Sequence, residues 1–190
     1  MPIYEFEGRQ PEFDERETNF VAPDAVVIGR CRVGREVSIW YGAVMRGDFG
    51  RIVLERDSNL QDNCVVHSLP DFDCVMEARS HIGHGAVVHG ARLGRDTLVG
   101  MNAVVMDRVQ VGEQTIVAAM SFVKIGAQIP PRVLVAGVPA RVVRELREAD
   151  LAGKGFGTDQ YVELARRSAQ GMVRAEPLRT VEADRKRVRW

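Results

Sequence analysis

The chain holds four histidines, and all lie between residues 67 and 89: His67, His81, His84 and His89. One histidine on a strand is an ordinary structural residue, whereas four so close together in a chain of 190 residues raise metal ligation. Three imidazoles with a fourth position left open are the donor set of a catalytic zinc, whose water reaches a pKa of about 7 and supplies a nucleophile at neutral pH. Iron or cobalt suit the same donors. His84 and His89 stand five apart in GHGAVVHG. On a straight strand that spacing puts them on opposite faces, about 17 Å apart along the chain. One ion is then reached more naturally if one of the two comes from a neighbouring chain, so a site between subunits of a homo-oligomer is expected. His67 and His84 are 17 apart, and spacing leaves open which pair shares a subunit. Polar groups able to orient an attacking water or to fix the imidazoles lie nearby: Gln61 and Asp62 in NLQDNCVVH, Arg46 and Asp48 in MRGDFG. A structural ion pair is the alternative for Arg46 and Asp48, and a bond between neighbouring strands for Gln61. His81 is expected at the surface or at a corner.

The elements that would hold these residues follow from a repeat. Valine supplies 28 of the 190 residues, 24 of them between Val21 and Val143. This β-branched enrichment favours strands. Leu93, Val99, Val105, Val111, Val117 and Val123 recur every six residues; Val27, Val33, Ile39 and Met45 keep the same interval, as do Ile82 and Val88. Four positions after the aliphatic comes a small or β-branched residue, with Arg92 the exception. A period of six suits no α-helix, and it suits a strand only if the chain bends at regular corners. Three hexads make an 18-residue triangular coil, with aliphatics inside and glycine easing the corners. Coils stacked about 4.8 Å apart pair as parallel strands. Residues 23–126 predict roughly six such coils.

Two stretches break the period, Phe49–Asn59 and Ser68–Ser80, and are expected as loops or bulged edges on one working face. After Gly126 the repeat fades. Val142, Val143, Leu146 and Leu151 suggest a helix, Gly153–Asp159 an interruption, and residues 160–174 more helix, packed over the solenoid. The division expected is an N-terminal segment (1–22), a β-helix (23–140), a helical segment (141–175) and a basic tail (176–190).

Composition narrows the function. Lys plus Arg and Asp plus Glu both total 26, which gives no electrostatic footprint for nucleic acid or anionic lipid. No apolar run reaches membrane-spanning length, and the acidic opening MPIYEFEG is unlike a secretion signal, so a cytoplasmic protein is expected. Cys31, Cys64 and Cys74 are too scattered for a disulfide framework and are expected as small apolar residues.

MRGDFG, NLQDNCVVH, HIGHGAVVHG, LVGMNAVVMD and GVPARVVREL together resemble the gamma-class carbonic anhydrase superfamily over residues 20–150. MPIYEFEG, RGDFGRIV, QDNCVVH, GMNAVVMD and EPLR extend the resemblance, over nearly the whole chain, to its phenylacetic acid degradation (PaaY) and carnitine-operon (CaiE) branch. The resemblance implies a left-handed parallel β-helix with a C-terminal helix, assembled as a homotrimer. It implies a metal between subunits, held by His67 and His89 of one chain and His84 of the next. Gln61 then matches the position that orients the nucleophile, and Arg46, Asp48 and Asp62 match polar positions lining the site. Phe49 stands where the carbonic anhydrase type has an acidic residue, no acidic loop with a proton-shuttling glutamate precedes His81, and a tyrosine found near the mouth in some members is replaced at Val133. Without a shuttle, hydrolysis of an acyl-CoA thioester from phenylacetate catabolism is expected over CO2 hydration. A hexapeptide acyltransferase and a non-catalytic assembly module are the remaining readings.

Overall fold

The computed structural model describes residues 2–180 and shows a mainly β solenoid of about seven coils with one C-terminal helix. The first face stacks Phe20–Val21, Ser38–Ile39, Asn59–Leu60, His81–Ile82, Leu98–Val99, Ile116–Val117 and Val133–Gly137 in parallel, one strand per coil. The second runs through Val65–His67, Val87–His89, Val104–Val105 and Phe122–Val123, and the third through Cys74–Met76, Arg92–Leu93, Gln110–Val111 and Gln128–Ile129. Val26–Val33 and Val44–Leu54 each continue across both of these faces.

The hexad aliphatics form the core: Val27, Val33, Ile39, Met45, Ile82, Val88, Leu93, Val99, Val105 and Val117 are all 0% exposed. The small residues four positions later, among them Ala43, Ala86, Thr97, Ala103 and Thr115, are buried beside them. Gly42, Gly85 and Gly126 take positive φ, as corners ask, but most glycines have a different task from the one expected. The glycines that follow an aliphatic, such as Gly34 and Gly94, have ordinary φ, but a Cβ there would lie 2.6 Å from the backbone nitrogen of Arg56 or Glu113 in the next coil. They let coils approach. The left-handed corner position falls two residues later, on Glu36, Asp96 and Gln114 along one edge and on Asn63, Gly85 and Asn102 along another.

Several sequence expectations are corrected. Phe49–Asn59 is mostly in the solenoid: Ile52–Leu54 pairs with Cys31–Val33 and with Cys74–Met76, and only the stretch between Gly47 and Ile52 bulges. In Ser68–Ser80 the excursion ends at Asp73, before the strand Cys74–Met76. The N-terminal segment adds two short strands, Ile3–Tyr4 and Glu12–Phe13, that pair with Val26–Val33. Val133–Gly137 and Ala140–Glu145 form an antiparallel hairpin rather than a helix. Their β-branched residues favour strand, and Gly137 with φ +104° makes the turn.

Helix α1 then runs unbroken over Glu148–Gly171, through the glycines expected to interrupt it. Its start is fixed by Asp150, whose carboxylate accepts the backbone N–H of Arg147 at 2.9 Å. Lys154, Thr158, Ala165 and Ser168 face the solenoid and are buried, which offsets the roughly 1 kcal/mol that each helical glycine costs. Lys154 Nζ donates to Arg79 O and Asp96 Oδ1, both at 2.6 Å, and Arg79 reaches Asp159 at 2.9 Å. Burial pushes the Lys154 ammonium down while Asp96 opposes the shift. The helix packs on the first three rungs of the first face, Phe20–Val21, Ser38–Ile39 and Asn59–Leu60. It leaves the lower rungs uncovered. The helical expectation for residues 172–175 fails, and residues 181–190 of the expected basic tail lie outside the described residues.

Candidate metal centre

Arg46, His67 and His89 occupy one register column on adjacent parallel strands, at the corner between the second and third faces. His67 Nε2 donates to Asp48 Oδ1 at 2.7 Å, and Asp48 also pairs with Arg46. Burial pushes the Asp48 carboxyl up, but the bonds from His67 and Arg46 outweigh it and hold the group below its ordinary range. His89 Nδ1 donates to Asp107 Oδ1. These carboxylates fix both tautomers, and the two remaining ring nitrogens, His67 Nδ1 and His89 Nε2, face one another at 3.0 Å. Two bare acceptor nitrogens that close repel unless a proton or a cation lies between them. This is the observation by which the residues fit a metal.

His84 stands at the opposite end of the second face, across Val87–His89 from this corner. Its Nδ1 donates to Asp62 Oδ2 at 2.8 Å, its backbone N–H donates to Gln61 Oε1 at 3.2 Å, and its Nε2 accepts from the Tyr161 hydroxyl at 3.3 Å. So each of the three expected ligands has one nitrogen held by a carboxylate and presents the other. Within one chain they do not converge: among the described residues, no three His, Cys, Asp or Glu side chains are grouped to hold an ion.

Gln61 sits apart from the paired imidazoles. It is buried, and its amide is fully used: Nε2 donates to Asn59 Oδ1 at 3.1 Å and to His81 Nε2, while Oε1 takes the His84 N–H. These bonds cross neighbouring strands and hold the His84 backbone. His81 is half-buried on the outward side of a strand rather than at a corner. It lies in the strand His81–Ile82, its ring edge-on to Tyr161 at 5.0 Å, with Nδ1 buried and unpartnered. Burial, with Lys154 and His84 adding to it, pulls its pKa down to about 4, so it is the neutral acceptor that Gln61 requires.

Asp107 and Tyr161 escaped the sequence reading. Asp107 had a signal, lying 18 residues after His89, one coil on. Tyr161 had none, because α1 brings it from the far end of the chain; a tyrosine does reach the site, although Val133 is not one. Burial raises its pKa, with Asp62 and Cys64 adding to the effect, so the phenol stays protonated. Phe49 is exposed, its ring 5.4 Å from that of His67. Glu77 faces another corner, accepting the Arg95 N–H at 3.0 Å. The three thiols are free and buried; burial pushes Cys31 and Cys64 up to about 12 and Cys74 up to about 11. Cys64 Sγ donates to Gly83 O at 3.0 Å, inside the coil and away from the imidazoles.

A carnitine operon protein CaiE from Proteus is 45% identical to this chain over 189 residues, covering 100% of it and 95% of its own length. The CaiE protein of Salmonella agona is 47% identical, with 100% and 94% covered. The chain belongs to the CaiE family. No protein-family model matches it. Among solved structures, a Bacillus cereus protein described as a candidate acetyltransferase superposes with a TM-score of 0.86 at 32% identity, covering 88% of this chain and 96% of its own. A hexapeptide transferase family protein from Anaplasma phagocytophilum gives 0.83 at 34% identity, with 87% and 96% covered. No helix among the described residues is long and apolar enough to cross a membrane.

Proposed function

We propose that this CaiE-family chain is a metal-dependent acyl-CoA thioesterase acting as a homotrimer, with each site between two subunits. The carrying observation is the His67–His89 pair, two bare nitrogens 3.0 Å apart with both tautomers locked by carboxylates. His67 and His89 of one chain and His84 of its neighbour would hold zinc, or iron or cobalt. When bound, such an ion supplies Lewis acidity, lowering the pKa of water and polarising a carbonyl oxygen.

The chain's own residues arrange the rest. Asp48, Asp107 and Asp62 fix the three rings, Gln61 fixes the His84 backbone, and Arg46 keeps Asp48 ionised. In the single chain the Tyr161 hydroxyl bonds His84 Nε2; with that nitrogen given to a metal, the hydroxyl would be free to donate to the thioester carbonyl oxygen. Water adds to the acyl carbon, the C–S bond breaks, CoA leaves as a thiolate and takes up a proton, and a carboxylic acid remains. Phe49, exposed against His67, offers an apolar wall for an aryl acyl group such as those of phenylacetate breakdown. The trimer is supported by the outward column Val44, Val65, Val87, Val104 and Phe122, an apolar strip between the two histidine corners that a neighbour would cover.

Acyl transfer is the second reading, favoured by the two solved relatives, and differs in that an amine or hydroxyl replaces water at the same carbon. CO2 hydration at the same centre is the third. Metal analysis, a screen of phenylacetate-derived and carnitine-derived CoA thioesters with and without acceptors, and a CO2 hydration assay separate them. A mixing experiment tests the shared site: His84→Ala and His67→Ala chains, each inactive alone, should regain part of the activity when combined. No recovery on mixing, or equal metal content in the wild type and both variants, overturns the proposal.

A further inference from the structure

Ile3–Tyr4 and Glu12–Phe13 pair with one and the same strand, Val26–Val33. Between those pairings the N-terminal chain uses residues 5–11 where the coil uses only residues 29–31, so the excess forms an arch over the corner at Gly29. The arch is pinned. Phe6 and Arg9 exchange two backbone bonds of 3.0 Å around Glu7 and Gly8, whose φ values of +49° and +74° are those of a tight two-residue turn. Beneath it, a Cβ on Gly29 would stand 3.5 Å from the Phe6 Cβ. Pro11 stiffens the return. Between arch and coils lies a cleft of about 550 Å³, lined by residues 8–12, 30–32 and 51.

Its charged lining is unusual. Arg30 and Arg51 precede Cys31 and Ile52, which are direct register partners and both buried. Alternation along the strands therefore turns the two arginines outward, one rung of about 4.8 Å apart, and both are exposed. Like charges set opposite one another on neighbouring strands destabilise a sheet. Arg32 joins them from the same strand and Arg9 from the arch. Arg9 and Arg30 make no side-chain hydrogen bond or ion pair among the described residues. Arg32 and Arg51 are each held along one edge, Nε and Nη2, by Asp14 and Asp73, which do not line the cleft. Glu12, the register partner of Arg32, is the carboxylate of the lining. We infer that this cleft binds a small anion carrying two linked phosphates, seated between Arg30 and Arg51 with Arg9 and Arg32 on either side. Guanidinium forks match phosphate oxygens in pairs, so such an anion turns a repulsion between strands into bonds shared across them. The volume is that of a small-molecule site. The inference does not depend on the thioesterase reading.

The test is calorimetric titration of the full-length protein with pyrophosphate and with ADP, and with citrate as the anionic control. Arg30→Ala should weaken both phosphate ligands about tenfold or more, and Arg9→Ala severalfold. His89→Ala should leave binding unchanged, which separates the cleft from any ion held at the imidazoles. Tighter binding of ADP assigns an esterified diphosphate, and tighter binding of pyrophosphate a free one. Without ligand, Arg30→Ala should melt no lower than the wild type, because a repulsion has gone, and pyrophosphate should raise the melting temperature of the wild type alone. Equal phosphate affinity in the wild type and both arginine variants overturns the inference. So does citrate binding as tightly as pyrophosphate, loss of binding in His89→Ala, or a ligand-free Arg30→Ala protein that melts well below the wild type.

Discussion

The coils from Leu93 onward and the coils from Met45 to Val88 share one hexad, but they keep different counts. In the lower set, strand partners are offset by 18 residues throughout, as from Val99 to Val117 and on to Val135. In the upper set the offset is 21 from Ile39 to Leu60, 22 from Leu60 to Ile82 and 17 from Ile82 to Val99. The bulge after Gly47, the excursion after His67 and the shortened turn at Gly90 all fall at one corner, the corner that carries His67 and His89. A regular corner directs every outward side chain alike, so side chains from different coils run parallel. Extra or missing residues change their direction, and Asp48, His67 and His89 can then converge. The irregular coils are as deeply buried as the regular ones, with Met45, Ile52, Leu60, Met76 and Ile82 at 0% exposed, so what sets them apart is the candidate ligands at their corner and not the core.

The sharpest way to break this comparison is to remove chemistry from the irregular corner. His89→Ala should abolish tight metal binding and lower turnover about a thousandfold, near 4 kcal/mol of barrier, while the melting transition of the metal-free protein moves little. Asp107→Asn, which loosens the ring without removing it, should cost about 10–100-fold in metal affinity or activity, read by metal competition. In the regular coils the balance reverses. Leu93→Ala deletes a fully buried side chain and should cost about 2–5 kcal/mol in denaturant unfolding, with metal affinity per folded molecule unchanged. An equal loss of metal affinity there would show that the two regions are not separable.

His81 sharpens the comparison through pH. Its imidazole binds a proton more readily unfolded, near 6.5, than folded, near 4. Its share of stability is thus complete above about pH 6.5 and is lost as pH falls towards 4, amounting to about 2–3 kcal/mol. The difference in unfolding free energy between wild type and His81→Gln, followed from pH 7 to pH 4, should shrink by that amount. The smallest effect is expected at the exposed Arg166–Glu36 pair, which ties α1 to the first face at 3.1 Å. Arg166→Ala should cost under about 1 kcal/mol, less in high salt.

Much of the solenoid was legible because its rule is local. A hexad aliphatic lies inside whatever the rest of the chain does, and every one from Val27 to Val123 is buried. The 141–145 stretch was misread because Val142, Val143 and Leu146 fit one side of a helix as well as a strand, and only its antiparallel pairing against Val133–Gly137 settles the matter. Gly153–Asp159 was misread because its glycines disfavour helix locally, while Lys154 and Thr158 dock on residues far earlier in the chain.

For the site, residue types and the five-residue gap between His84 and His89 were enough to raise a metal and to argue against a single straight strand. Pairing His67 with His89, giving each ring its carboxylate, saturating Gln61 and bringing Tyr161 to His84 depended on the offsets of 21, 22 and 17 and on the path of α1. The sequence by itself determined the coil, since hydrophobic burial acts residue by residue at a fixed period. Only the tertiary structure decided which imidazole meets which and which carboxylate holds each, because such meetings depend on distances between coils, which no local pattern encodes.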